Sequence, residues 1–196
     1  MVRDLHGVAP DVTAPIPTLP GAAVDDRTLT TDRLVLRPWT VDDAPRALGV
    51  FGAAPVSRWL VPALARVEDD AAMRVLLERW QAEPDDPPAR RWAVEHDGAV
   101  VGGVAVRRLP PDEDDLEIAW QLSPQHWGRG YAVEAARAAL GWAFDNAAHE
   151  VHAVMRPGNE RSAALARRLG MVWVGETSKY YGLDLQVYRV RLSDLA

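Results

Sequence analysis

The stretch Ser123-Pro124-Gln125-His126-Trp127-Gly128-Arg129-Gly130-Tyr131-Ala132 is the part of the chain best suited to hold a ligand through its main chain. It lies between an apolar, strand-like run, Leu116 to Leu122, and an alanine-rich helical run from Tyr131 to about Asn146. Two glycines spaced Gly-x-Gly at such a junction let the backbone turn tightly and leave successive N–H groups without partners. The first amides of a helix have no intrahelical acceptor, and the helix dipole places partial positive charge at the same end. A diphosphate can be held there with little help from side chains. Arg129 adds a cation within the loop. Taken alone, a Gly-x-Gly is equally an ordinary tight turn.

The neighbouring residues shift that balance. Gln125-x-x-Gly128-x-Gly130-Tyr131-Ala132 resembles the Gln/Arg-x-x-Gly-x-Gly/Ala signature of the GNAT superfamily of acetyl-CoA-dependent N-acetyltransferases. Its likeness to the ribosomal-protein-alanine-acetyltransferase-like branch runs further. Thr30 to Trp39 is similar to that branch's opening strand, and Leu116 to Leu122 to its strand before the loop. Asn159-Glu160-Arg161-Ser162, with Arg168-Leu169-Gly170-Met171 after it, is similar to its second cofactor segment. The resemblance covers about Leu29 to Leu192 in the expected order. It implies acetyl-CoA as cosubstrate and no metal. The implied cofactor-binding residues are Gln125, Trp127, Gly128, Arg129, Gly130, Tyr131, Ala132, Asn159 and Ser162.

Amine acetylation from a thioester makes four demands. The diphosphate must be gripped, which the amides of Trp127 to Ala132 would do. The oxyanion needs a preorganised donor; the resemblance places it at the strand end near Leu122, where Pro124 prises the chain from regular pairing. The attacking nitrogen must be unprotonated, and an α-amine titrates near ~8 and a lysine near ~10.4. Glu117 is the candidate base, as an isolated carboxylate on an otherwise apolar strand; the alternative is a carboxylate facing solvent on a one-sided sheet. The departing thiolate needs a proton or a hydrogen bond. Many family members use a tyrosine on the last helix, and alignment through Leu169-Gly170 puts Ala166 there instead. In the resembling branch the serine of Asn-x-x-Ser lies close to the sulfur, and Ser162 matches it. Its alternative role is within a helix first turn, as Asn159's is an N-cap. Tyr180 and Tyr181 are reserve acids, although packing is the commoner use of such residues. His149 and His152 are wrongly spaced for a zinc pair on one helix face, and no metal site is expected.

The elements that must position these groups follow from periodicity. Arg33 to Trp39 alternates as a first strand, and Thr40 caps a helix from about Val41 to Val50. The segment Phe51 to Arg66 is broken by Gly52, Pro55 and Pro62; the family resemblance implies that it lines the acceptor side, the alternative being a capping loop whose aromatics pack. A second helix is expected over Val67 to Gln81, with Val67, Ala71, Val75 and Trp80 near one face. Arg91 to Glu95 and Val100 to Arg107 form a hairpin across Asp97-Gly98. Pro110 to Asp115 is an acidic turn. In the helix after the loop, Glu134 and Arg137 are placed to pair outside the apolar stripe. Val151 to Met155 is a strand, Asn159 caps a helix that Gly170 ends, and Met171 to Val174 and Leu185 to Leu192 are the last strands. Trp39, Trp80, Trp92, Trp142 and Trp173 fall at apolar positions and are assigned to the core. The mixture predicts an α+β fold: one GNAT-like domain over 28–196 with a central mixed, mostly antiparallel twisted sheet flanked by helices. Residues 1–27, with four prolines, are expected to form a tail or arm.

Composition narrows the partners. A net charge of −6 argues against nucleic acid and suits an amine acceptor, small or a protein N-terminus. No run approaches the ~20 apolar residues of a membrane span, and there is no secretory-leader pattern, so a cytoplasmic monomer or homodimer is expected. The absence of cysteine removes disulfides, thiolate metal sites and a cysteine nucleophile, which favours direct attack in a ternary complex. The rival readings are a CoA-binding sensor or scaffold with weak catalysis, and a generic nucleotide binder.

Overall fold

The computed structural model describes residues 27–60, 62–111 and 114–195. The expected tail, Arg27 excepted, lies outside them, as do Asp112 and Glu113 of the acidic turn. The elements run β1 (Leu29–Thr30), β2 (Val35–Arg37), α1 (Ala44–Phe51), α2 (Ala54–Ser57), α3 (Asp70–Gln81), β3 (Arg90–His96), β4 (Ala99–Arg108), β5 (Leu116–Leu122), α4 (Tyr131–Asp145), β6 (Glu150–Met155), α5 (Glu160–Arg168), β7 (Val172–Thr177) and β8 (Leu185–Arg191). The strands form one sheet ordered β1-β2-β3-β4-β5-β6-β8-β7. Every neighbouring pair is antiparallel except β5 with β6.

Asp97 and Gly98 turn the β3–β4 hairpin with φ of 49° and 74°, the paired positive values a two-residue loop needs to match strand twist. The period of two then sorts β4 and β5 into faces. Val104, Val106, Ile118 and Leu122 pack against Ala135, Ala136, Ala139 and Leu140 of α4. The helices α1 and α3 cover the other face, where Trp39, Phe51, Met73 and Leu77 gather over Ala93. Trp39, Phe51 and Trp80 meet edge-on or tilted at centroid separations of 5.2 to 6.1 Å. Gly103 sits beneath this cluster, and a Cβ there would come within 2.8 Å of Trp39 Cζ2.

Three expectations are corrected. The second helix begins at Asp70 rather than Val67, because the Asp69 carboxylate accepts from the Ala72 N–H and caps it. That phase turns Met73 and Leu77 inward and leaves Val75 55% exposed. Trp173 is 59% exposed, because β7 is the edge of the sheet and no element covers it among the described residues. Glu134 does not pair with Arg137. It accepts from Thr31 Oγ1 at 2.6 Å, Arg33 N at 3.0 Å and Arg33 Nε at 2.7 Å, tying α4 to the first strands.

Candidate active site

Pro124–His126 forms a 3-10 turn in which the Trp127 N–H donates to the Pro124 carbonyl at 3.3 Å. That amide is therefore engaged within the turn and is not among the diphosphate donors, contrary to the sequence expectation. The chain then takes φ of 77° at Gly128 and 81° at Gly130, and Gly130 is the N-cap of α4. The first helical bond runs from the Glu134 N–H to the Gly130 carbonyl at 3.1 Å. Among the described residues, the N–H groups of 128–133 consequently have no backbone acceptor. A Cβ added to Gly128 would meet nothing within 4 Å, so the bend faces open space. Its shape is held from behind: Arg33 Nη1 donates to the Arg129 carbonyl at 3.0 Å while the same guanidinium grips Glu134. Tyr131 is buried, and its hydroxyl lies 2.8 Å from His96 Nε2.

From this bend a cleft of about 1080 Å³ runs across the sheet. It exists because β5 and β6 share a single registered pair, Glu117 with His152, and then diverge toward their C-terminal ends. On the β4 side, the Ser123 N–H donates to the Val101 carbonyl at 2.9 Å. Antiparallel alternation makes Leu122 opposite Gly102 the next, non-bonded pair. The Leu122 N–H thus points off β4, into the gap left by β6. The Leu122 carbonyl accepts from the Trp127 indole at 2.9 Å, so Trp127 packs beneath the loop, with Arg161 stacked 3.8 Å over its ring.

At the end of the cleft away from the bend the floor is Gly103, Ala105 and Ala119, small residues that leave room below α1–α3. Glu117 lies there, 4% exposed. It is neither solvent-facing nor isolated, because Arg107, its partner across β4, donates through Nε at 2.8 Å. Tyr181 donates to the same oxygen, Oε2, at 3.2 Å, leaving Oε1 without a protein hydrogen bond among the described residues. Burial, and then the Glu117 charge, push the Tyr181 hydroxyl up to about 12, so it stays protonated at neutral pH. Tyr181 holds φ of 57°, an uncommon conformation for a tyrosine. Tyr180 is buried instead and bonds Asp115 at 2.6 Å.

The second segment enters from α5. Asn159 is its N-cap, accepting from the Ser162 N–H at 3.3 Å. Both residues line the cleft, and no hydrogen bond reaches the Ser162 hydroxyl among the described residues. Ala166 is fully buried, and the residue of that turn which faces the cleft is Leu165, which carries no acid. His126 also lines the cleft, and burial followed by the Arg129 charge holds its imidazole below the usual value.

The sequence-selected residues Glu117, Leu122, Trp127, Gly128, Gly130, Tyr131, Ala132, Asn159 and Ser162 all border this one cleft. Gln125 and Arg129 are exposed on the loop and do not line it. Arg33, Arg107 and Arg161 were not singled out. Arg107 was the findable one, since a symmetric hairpin places it opposite Glu117. Among the described residues, no group of three or more His, Cys, Asp or Glu is arranged to hold a metal ion, and no helix is long and apolar enough to cross a membrane.

Comparison with known proteins agrees with this geometry. Residues 33–172 match the model of the acetyltransferase (GNAT) domain. The uncharacterized N-acetyltransferase YoaA of Bacillus subtilis is 25% identical over 155 residues, which is 78% of this chain and 86% of that protein. The crystal structure of the acetyltransferase from Agrobacterium tumefaciens superposes with a TM-score of 0.66 at 27% identity, covering 88% of this chain and 99% of that one. The microcin C7 self-immunity acetyltransferase MccE, solved with acetyl-CoA and AMP, shares the fold with a TM-score of 0.68 at 15% identity, over 83% of this chain and 94% of its own. With more than half its length matched by the family model and its sheet opened beside a glycine-turned loop, the chain belongs to the GNAT acetyltransferase family and is an acyltransferase.

Proposed function

We propose that this protein transfers the acetyl group of acetyl-CoA to a primary amine by direct attack in a ternary complex. The observation that carries the reading is the continuity of one cleft from the free amides of 128–133, past the Leu122 N–H, to the Glu117 carboxylate. The residues present suit coenzyme A, since the bend offers unpartnered N–H donors and open space in front of Gly128. Bound acetyl-CoA supplies the thioester carbonyl as electrophile.

The chain's own groups divide the remaining work. The amides of 128–132 hold the diphosphate, with Asn159 beside the pantetheine arm. The Leu122 N–H donates to the carbonyl oxygen as negative charge develops on it. Glu117 takes the proton from the attacking amine through Oε1, the oxygen that Arg107 and Tyr181 leave available. Ser162 donates a hydrogen bond to the departing thiolate. The acceptor is a small-molecule amine or a protein N-terminus. Without cysteine, no thiol nucleophile is available for an acyl-enzyme.

One observation favours a second reading, a CoA-binding scaffold with weak catalysis: at the α5 position where many family members carry a tyrosine stands the buried Ala166, with Leu165 beside it lining the cleft. A thiol-release screen with acetyl-CoA against small amines and peptides separates the two. Amine-dependent release supports transfer. Thermal stabilisation by CoA with no release for any amine supports the scaffold, and stabilisation by nucleoside triphosphate but not CoA contradicts both.

A further inference from the structure

The chain carries a net charge of −6, yet the acceptor end of its cleft is lined by Arg79, Arg91 and Arg107 against only Glu83 and Glu117 close by. Arg91 and Arg107 project from neighbouring strands on the same sheet face, Arg91 opposite Ala105 and Arg107 two residues further along β4. Each is held by its Nε alone, Arg91 to Glu83 at 2.7 Å and Arg107 to Glu117 at 2.8 Å. Aromatic rings fix the planes further, with Trp80 5.5 Å from the Arg91 guanidinium and Tyr181 5.7 Å from that of Arg107. Among the described residues no hydrogen bond reaches the Nη atoms of either guanidinium, and Arg79 has no ion-pair partner. Their side chains are only 24% and 25% exposed, so these donors open mainly onto the cleft. A guanidinium anchored at Nε, with its Nη edge presented, matches the planar, two-point recognition of carboxylate and phosphate.

We infer that the amine acceptor carries an anionic group of its own, a carboxylate or a phosphate, which the Nη edges of Arg91 and Arg107, with Arg79, hold while Glu117 faces the amino group. This deepens the acetyl-transfer reading and rests on it. The bend proposed for the diphosphate of coenzyme A lies at the other end of these strands, where Tyr131 meets His96 at the hairpin end of β3, five residues along from Arg91. Polycationic acceptors such as linear polyamines are disfavoured, because their additional charges would face guanidiniums.

The test is calorimetric titration of the full chain saturated with CoA, so that the bend is already filled. The probes are O-phosphoethanolamine and 4-aminobutyrate, which separate phosphate from carboxylate as the preferred anion, compared with ethanolamine and putrescine. The inference expects one or both anionic amines to bind and the other two not to. Arg91→Gln and Arg79→Gln, both at partly exposed positions, should each weaken that binding about fivefold or more, the scale of a lost charge-assisted hydrogen bond. CoA affinity should be unchanged in both variants. Equal or tighter binding of ethanolamine or putrescine overturns the inference, as does binding of neither anionic amine, or wild-type affinity in both variants. Failure of CoA itself to bind removes the acetyl-transfer reading and this inference with it, whereas failure of the amines alone removes only the inference.

Discussion

Replacing Gly128 by valine separates the loop's two roles, local conformation and ligand contact. At φ of 77°, a side chain with Cβ costs ~1–2 kcal/mol, and a β-branched one sits at the upper end. For a chain of this size that loss lowers the melting temperature by roughly 2–8 °C. No steric penalty is added in the free protein, because a Cβ at this position meets nothing within 4 Å. The bound state is different. The open space in front of Gly128 is where the diphosphate must approach, and the branched side chain fills it while tilting the following N–H groups. Loss of two charge-assisted bonds at ~1.5–3 kcal/mol each weakens CoA binding by about 10²- to 10⁴-fold. Gly128→Ala, with a smaller group on the same backbone, should lose about tenfold by the same reasoning. Calorimetric titration with CoA, run beside thermal denaturation, gives both quantities. A Gly128→Val protein that melts a few degrees lower yet binds CoA as the parent does would refute the main-chain account of the loop.

Three further outcomes are expected. Ser162→Ala should lower kcat more than it raises the acetyl-CoA dissociation constant, because its hydroxyl acts on the leaving thiolate; a change confined to the binding constant sinks that role. Glu117→Gln should lower turnover by about 10²- to 10⁴-fold at pH 7, and the deficit should shrink as pH rises and more acceptor amine is already unprotonated. A deficit independent of pH, with CoA affinity intact, argues against Glu117 as the base. Asp115 is held below its ordinary pKa by Lys179 and then Tyr180, at 2.7 and 2.6 Å. Its contribution is therefore fully present above the unfolded value near ~3.9 and disappears as pH falls through the lower folded value. Asp115→Asn should cost about 1 kcal/mol at neutral pH, and its stability curve should converge on that of the parent once the pH has fallen below the lowered folded value. A gap that persists in acid contradicts the ion-pair assignment.

What the sequence disclosed and what it hid divide along a physical line. The Asp97-Gly98 turn, the Gly128-x-Gly130 bend and the Asn159 cap are local, each needing only a few residues to specify a conformation, and each is where the sequence placed it. The face of α3 was misread because its phase is set by the Asp69 cap, and a start three residues early moves Val75 from the surface to the interior. The exposure of Trp173 depends on β7 being an edge strand, which follows from sheet order and not from any window of sequence. The electrostatics of the candidate site were the least legible part. Arg33 reaches Glu134 across 101 positions, and the carboxylate of Glu117, apparently alone on its strand, is compensated by Arg107 from the strand beside it. The same long-range assembly produced the row of guanidiniums on the acceptor side, in a chain whose overall charge is negative.

A crystal structure of the chain with bound CoA tests the central claim most directly. The account predicts diphosphate oxygens within hydrogen-bonding distance of the N–H groups of 128–132, with the pantetheine arm in the β5–β6 gap and the sulfur beside Leu122 and Ser162. A diphosphate held by side chains elsewhere, or a pantetheine arm lying outside that gap, would contradict it.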